Sequence, residues 1–274
     1  MSTSAHVPVT VVIPTLNEAS QISEVVVSLV WADEVVVVDG GSFDGTPEIA
    51  RAAGARVIEH IGGTIASQRN IGAAAARNHW VLALDADERV PESLRAEVAA
   101  AVAAPKHTAY RVRLNTTYLG HQVQHGRLPR EWKVRLFPRE GRFKEQRVHE
   151  VLERTNDTGS FGARLEHTPY RDLSHQLKKI AQYARWGAED LQSRGGRCGP
   201  WQLITRPLSR FVRDYFVYSG WRDGQPGLVL ATLSATAVLL KYAHLLAMQW
   251  QVRDEIPHPR CPIGADTQTP EKIA

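Results

Sequence analysis

Cysteine is nearly missing from this sequence: among 274 residues it occurs twice, as Cys198 and as Cys261 in a proline-rich tail. A disulfide framework is therefore not expected, and a reducing compartment is. The amino-terminal stretch lacks a basic segment followed by an apolar one, so no secretory leader is expected. The run 9–13 is too short for a leader or a span and reads as a strand. No internal repeat occurs. The glycines at 40 and 41 do not build a G-x-G-x-x-G fingerprint, which sets a dinucleotide site aside. Histidine is frequent, with eleven residues, but His121, His125, His149 and His167 lack tight ligand spacing, so zinc is not expected. The basic stretch 127–147 suits an anionic sugar acceptor better than nucleic acid, so no nucleic-acid partner is expected.

What is present describes a globular chain, with 43% hydrophobic and 23% charged residues. The net charge of +4 and the pI near 9.2 are mild and suit an anionic substrate or a lipid surface. The length gives room for one large domain, or a medium one with an appended element.

Along the first hundred residues strand and helix signals alternate. Val9-Thr10-Val11-Val12-Ile13 and Glu34-Val35-Val36-Val37-Val38-Asp39 are β-branched runs, the pattern of strands buried on both faces of a parallel sheet. Val57-Ile58 and Trp80-Val81-Leu82-Ala83-Leu84 are further strands. Between them, Ile22, Val25, Val26 and Leu29 recur at helical spacing, Thr46 with Pro47 is an N-cap and first turn, and residues 67–78 read as a helix. Pro91 opens an Ala-rich helix with Leu94, Val98 and Val102 on one face. Strands separated by helices predict a doubly wound α/β sheet. Segments 110–114 and 134–137 then read as strands of an antiparallel or mixed addition extending to about residue 168. From Asp172 to Gly195 a helix carries Leu173, Leu177, Ile180, Ala184, Ala188 and Leu191 on one stripe.

Ligands of open α/β sheets sit at the carboxyl ends of the strands. Three loops there are acidic or small: Pro14-Thr15-Leu16-Asn17-Glu18, Asp39-Gly40-Gly41-Ser42-Phe43-Asp44 and Asp85-Ala86-Asp87-Glu88. Carboxylates gathered at one edge repel a diphosphate unless a divalent cation lies between, and Mg2+ or Mn2+ takes such oxygen ligands. Asp-X-Asp alone is a common chance match whose plain reading is a solvated loop. Its place after the fourth strand gives it weight.

These three segments, taken together with the strands before them, resemble glycosyltransferase family 2 with its GT-A fold: a doubly wound mixed sheet, here with a helical carboxyl-terminal extension. Ala32-Asp33-Glu34, Gln68-Arg69-Asn70, Val134-Arg135-Leu136-Phe137, Val148-His149-Glu150 and the late residues 211–215, Gly220, Asp223-Gly224, Gly227 and Lys241-Tyr242 resemble its lipopolysaccharide-core β-1,4-glucosyltransferase branch. Phe43 departs from the pattern, standing where the family commonly has Thr. The resemblance implies that Pro14, Thr15, Asn17 and Glu18 line a nucleoside pocket. Asp39 would accept a hydrogen bond from the base, with Ser42 and Asp44 nearby. It further implies that Arg69 meets the diphosphate, that Asp85 contacts ribose or metal, and that Asp87 holds the metal. An inverting transfer also needs a carboxylate to deprotonate the acceptor hydroxyl. Glu150 takes that role, with Glu88 as reserve; His149 either orients Glu150 or the acceptor, or is simply structural.

The implied reaction moves a hexose, glucose from UDP-glucose, to a lipopolysaccharide-core or other lipid-linked glycan, with a divalent cation, Mg2+ or Mn2+, as cofactor. An anionic glycolipid or sugar acceptor suits the basic stretch 127–147, whose plain reading is a solvated face. Rival readings are a nucleotidyltransferase, disfavoured by residues 14–18 where a Gly-rich basic loop belongs, and a non-catalytic sugar- or membrane-binding relative. Residues 1–168 are expected to form the catalytic domain, 169–256 the helical extension and 257–274 a disordered tail. Residues 227–247 match the length of a bilayer span, yet Lys241 and His244 interrupt them. Upstream, Arg206, Arg210, Arg213 and Arg222 alternate with aromatic and aliphatic residues, as on an interfacial helix facing anionic headgroups. Attachment to the cytoplasmic face of a membrane is expected, with core packing and a true span as the alternatives.

Overall fold

The computed structural model describes residues 6–144, 152–153 and 157–254. The expected Glu150 and His149, and the tail 257–274, lie outside the described residues.

Among the described residues, nine strands form one mixed sheet. The first, β1 (Val7–Thr15), pairs in parallel with β2 (Ala32–Asp39) and β4 (Trp80–Ala83), and β2 with β3 (Arg56–Glu59). Beyond β4 come β8 (Trp132–Pro138), β6 (Ala109–Tyr118), β9 (Thr158–His167) and the two-residue β5 (Glu88–Arg89), with β7 (His121–Val123) as a flap on β6. Pairings β4–β8, β8–β6 and β9–β5 are antiparallel, and β6–β9 is parallel. The expectation of a doubly wound sheet with a mixed addition is met.

The reason lies in the β-branched runs. Val9, Val11 and Ile13 enter one hydrophobic core while Val12 enters the other; Val37 and its neighbours Val36 and Val38 divide in the same way. Side chains alternate across a strand, so a continuous apolar run fills both cores only if helices cover both faces. Helices α1 (Ile22–Ser28), α2 (Thr46–Ala52) and α4 (Glu92–Ala103) cover the first, and α3 (Ile65–Ala75) the second. At Gly72 of α3 an added Cβ would lie 2.3 Å from Val12 Cγ1, so only glycine permits this close helix-to-strand approach.

Two local expectations are corrected. The α3 helix begins and ends earlier than the range 67–78, because the Thr64 hydroxyl caps it by accepting from the Ser67 N–H. Thr46 does not cap α2. Gly45 holds that position in a left-handed conformation, and Thr46 Oγ1 instead donates to Asp44 while accepting from the Glu18 N–H.

The carboxyl-terminal part is helical: α5 (Leu173–Ser193), α6 (Gln202–Val212) and the 31-residue α7 (Gly224–Asp254), with a π-turn and a 3-10 turn between α6 and α7. Asp172 caps α5 by accepting from the His175 N–H at 2.7 Å. Along the α5 stripe Ile180, Ala184 and Ala188 are buried, but Leu173 and Leu177 stay exposed.

Candidate active site

Strand order reverses about β1, since β2 and β3 lie on one side of it and β4 on the other. The carboxyl ends of β1, β2 and β4 meet at this switch point, where open α/β sheets bind ligands. Pro14 and Thr15 lie beside Val38 and Asp39 in register. Gln68 of α3 ties the two strand ends, its Nε2 donating to the carbonyls of Thr15 and Val38 at 3.1 Å each.

The loops after β1 and β2 are laced into one wall. Asn17 adopts a left-handed backbone (φ 59°), which Asn tolerates better than most residues. Its N–H then donates to Ser42 Oγ at 2.8 Å and its Oδ1 accepts from the Phe43 N–H. Asp44 accepts from the N–H groups of Ala19 and Thr46. Asp39 is buried, and its carboxylate accepts from the Gly41 and Ser42 N–H groups and from the Thr15 and Ser42 hydroxyls. A carboxylate has about four lone-pair positions, so Asp39 is saturated by its own loop. A bond to a base would need the Ser42 hydroxyl to turn away. Glu18 closes the wall beside Gln21, and burial raises its carboxyl above the ordinary value.

At the end of β4, Asp85 sits between two guanidinium groups. Arg69 Nη2 lies 2.5 Å from Oδ1, and Arg135 Nη2 from β8 lies 2.7 Å from Oδ2. Arg135 also pairs with Glu88, whose other oxygen accepts from the Asp85 N–H at 2.9 Å. Burial alone would raise Asp85, but Arg135 and Arg69 outweigh it and hold the carboxyl well below the ordinary range. Burial pushes the Glu88 carboxyl up to about 7 against the pull of Arg135, helped by Asp85 and Asp87. Burial also pushes Tyr183 of α5 up to about 12, with Asp85 and Asp87 adding to it.

Asp87 is held differently. Its carbonyl accepts from the Thr168 N–H just beyond β9. Its carboxylate accepts no hydrogen bond among the described residues, with His167 Nε2 at 3.9 Å and Lys179 Nζ at 3.8 Å. No group of three or more His, Cys, Asp or Glu side chains is poised to hold a metal among the described residues. Mg2+ and Mn2+ sites commonly use one or two carboxylates and take the remaining oxygens from water and substrate phosphates. Asp87, with His167 beside it, fits that donor set; Asp85 accepts one guanidinium N–H on each oxygen, so Asp87 is the less engaged of the two carboxylates.

A cavity of about 880 Å3 opens beside this cluster. Arg69, Asp85 and Arg135 line one wall, Tyr170 and Tyr183 another, and α7 closes the far side. Asp223 fastens the helical part to the sheet, accepting from the His125 N–H and pairing with its Nδ1, each at 2.8 Å.

Sequence reasoning gave no role to Arg135, Lys179 or His167. Arg135 was legible as part of a motif, but nothing in the spacing says that it reaches across from β8. His167 and Lys179 follow no local pattern with Asp87; strand pairing and the docking of α5 bring them there.

The sequence model of Glycosyl transferase family 2 matches residues 10–163. The lipopolysaccharide core biosynthesis glycosyltransferase LpsC of Rhizobium meliloti is 27% identical over 92% of this chain and 98% of its own length. An uncharacterized glycosyltransferase of Rickettsia typhi is 25% identical over 88% of both chains. Among solved structures, glucosyl-3-phosphoglycerate synthase from Mycobacterium tuberculosis, with Mn2+ and UDP, is 27% identical over 41% of this chain and 44% of that one, at a TM-score of 0.33. S. aureus TarS 1–349 with UDP-GlcNAc covers 89% of this chain and 92% of its own at 15% identity and a TM-score of 0.46.

Proposed function

The chain belongs to glycosyl transferase family 2, and from that premise we propose that it transfers a hexose, glucose from UDP-glucose, with inversion to a lipid-linked glycan of the lipopolysaccharide-core class. One observation carries this reading: the laced β1 and β2 loops and the Asp85–Asp87 strand end share one edge, beside a cavity large enough for a glycan. Residues 1–168 form the catalytic unit in this reading, and 169–256 supply the acceptor wall and the membrane contact.

The loop wall 14–18 and 39–44 takes the nucleoside, with Asp39 acting chiefly by fixing the N–H groups of Gly41 and Ser42. Arg69, on the inner edge of α3, faces the diphosphate. Asp87 is the open carboxylate for Mg2+ or Mn2+, with His167 as a second donor, while Asp85 sets the two arginines. Bound there, the cation supplies neutralisation of the leaving nucleoside diphosphate. Glu88 positions Asp85 through its backbone N–H. Glu150 is the general base of this proposal, with His149 beside it in sequence.

Of the four arginines expected at the membrane, Arg206, Arg213 and Arg222 are exposed and Arg210 is half-buried. Arg210 turns inward and bonds Asp214 and Ser234, and Arg206 lies over the Tyr242 ring of α7. The same segment also presents an apolar stripe: Trp201, Ile204, Leu208, Val212 and Phe216 are all exposed, and α6 buries no residue. An amphipathic helix whose apolar face points outward fits an acyl boundary better than headgroups alone. Helix α7 is also long and apolar enough to cross a membrane, with 11% of that stretch buried. In-plane docking through α6 at the cytoplasmic face is the reading we adopt.

The test is a donor screen that follows nucleotide release with and without Mn2+. UDP-glucose is expected to react, and UDP to inhibit far better than ADP or GDP. Equal affinity for the three diphosphates would remove the nucleoside assignment.

A further inference from the structure

One stripe of α7 faces the cavity: Gly227, Ala231, Ser234, Val238 and Lys241, at intervals of four and three residues, so all lie on one side of the helix. Among the described residues, each acidic residue lining the cavity is paired with a basic side chain. Asp85 has Arg69 and Arg135, Glu131 has Arg127 and Lys133, Asp214 has Arg210, and Asp223 has His125. Lys241 has no carboxylate partner among the described residues; its ammonium lies 5.1 Å from the centre of the Tyr242 ring.

The stem of Lys241 is seated by design of the fold. On the facing helix α5, a Cβ at Gly187 would come within 2.9 Å of Lys241 Cδ, so glycine there lets the side chain lie between the helices. Burial lowers the Lys241 pKa, and the charges of Arg206 and Arg210 lower it further. A half-dehydrated ammonium crowded by two guanidinium groups is stabilised by any anion that enters. Beside it, Arg210 Nε is fixed by Asp214 Oδ2 at 2.7 Å and Ser234 Oγ at 2.9 Å. Asp214 is 6% exposed, and its Oδ1 is buried with no hydrogen-bond partner among the described residues.

We propose that Lys241 and Arg210 form an anion subsite on the α6–α7 wall, which holds a phosphate or carboxylate borne by the acceptor glycan. The proposal rests on the glycosyltransferase reading for the identity of the glycan, not for the anion site itself. It makes the helical extension a determinant of acceptor choice: neutral glycans lacking the charged group enter less well.

The experiment is calorimetric titration of inorganic phosphate, and separately of acetate, into the full chain saturated with UDP and Mg2+, and again into the free protein. Lys241→Met keeps the stem against Gly187 and removes the ammonium. Loss of a charge-assisted hydrogen bond should lower anion affinity roughly tenfold or more. UDP affinity should be unchanged, and Lys241→Arg should retain anion binding. Tighter phosphate identifies a phosphorylated acceptor, and tighter acetate an acidic sugar. Anion binding that is absent in the wild type, or equal in Lys241→Met, overturns the subsite. Failure of UDP to bind would strike the donor reading alone, because the Lys241 dependence in the free protein still decides the subsite.

Discussion

Arg135 Nη2 bonds Asp85 Oδ2 at 2.7 Å and bonds Glu88 with the same nitrogen, so one guanidinium from β8 fixes both carboxylates at the end of β4. The Arg135 side chain is 3% exposed and that of Glu88 1%. Removing one member of such a buried pair leaves the other uncompensated, at about 3–5 kcal/mol. Arg135→Met should therefore lower the unfolding free energy by that amount, seen as a lower urea midpoint with an unchanged slope. Adding Glu88→Gln should recover part of the loss, since the orphaned carboxyl is gone. Equal midpoints for the single and double variants would show that the pair is not the source of the effect.

Metal use should separate Asp87 from Asp85. EDTA should abolish transfer and Mn2+ or Mg2+ restore it. Asp87→Asn should lose metal-dependent UDP binding and yet melt within about 0.5 kcal/mol of wild type, because its carboxylate holds no hydrogen bond among the described residues. Asp85→Asn should lower the melting temperature as well, because it weakens the ties to Arg69 and Arg135. Full activity of Asp87→Asn in EDTA would end the metal assignment.

Membrane contact through the apolar stripe of α6 predicts a particular salt response. Leu208→Glu or Trp201→Glu should release the protein from anionic vesicles, while Arg206→Gln should weaken sedimentation only modestly. Salt shortens electrostatic reach to about 8–10 Å at physiological strength but leaves apolar insertion intact. Complete release in high salt with no effect of Leu208→Glu would return the contact to the arginines.

Glu150→Gln should bind UDP and metal as wild type does and transfer sugar about 10²–10⁴-fold more slowly, the usual contribution of a general base. Glu88→Gln should instead alter stability or donor affinity, because both its oxygens are engaged by Arg135 and the Asp85 N–H. Near-normal turnover in Glu150→Gln, together with a pure loss of turnover in Glu88→Gln, would move the base to Glu88.

The strands and their depth are legible in the order of residues alone. Runs such as residues 9–13 and 34–38 place apolar side chains on both faces, and only a sheet covered by helices on both sides buries them. Which loops are polar at the strand ends is legible there too, because Pro14, Asn17, Gly40, Gly41, Ser42, Asp44 and Gly45 suit turns. Tertiary structure decided how the carboxylates divide their tasks. Asp85 and Asp87 are alike in sequence, but Arg69 and Arg135 arrive at one and leave the other open, through α3 packing and β4–β8 pairing across 16 and 50 residues. It also decided which side of α6 faces outward. Periodicity separates the arginines from the apolar stripe, but it carries no sign for inside and outside; the docking of Arg210 onto Asp214 and Ser234 supplies it. Local pattern follows from short-range sterics and hydrophobicity, whereas charge pairing at long sequence separation depends on where the chain returns.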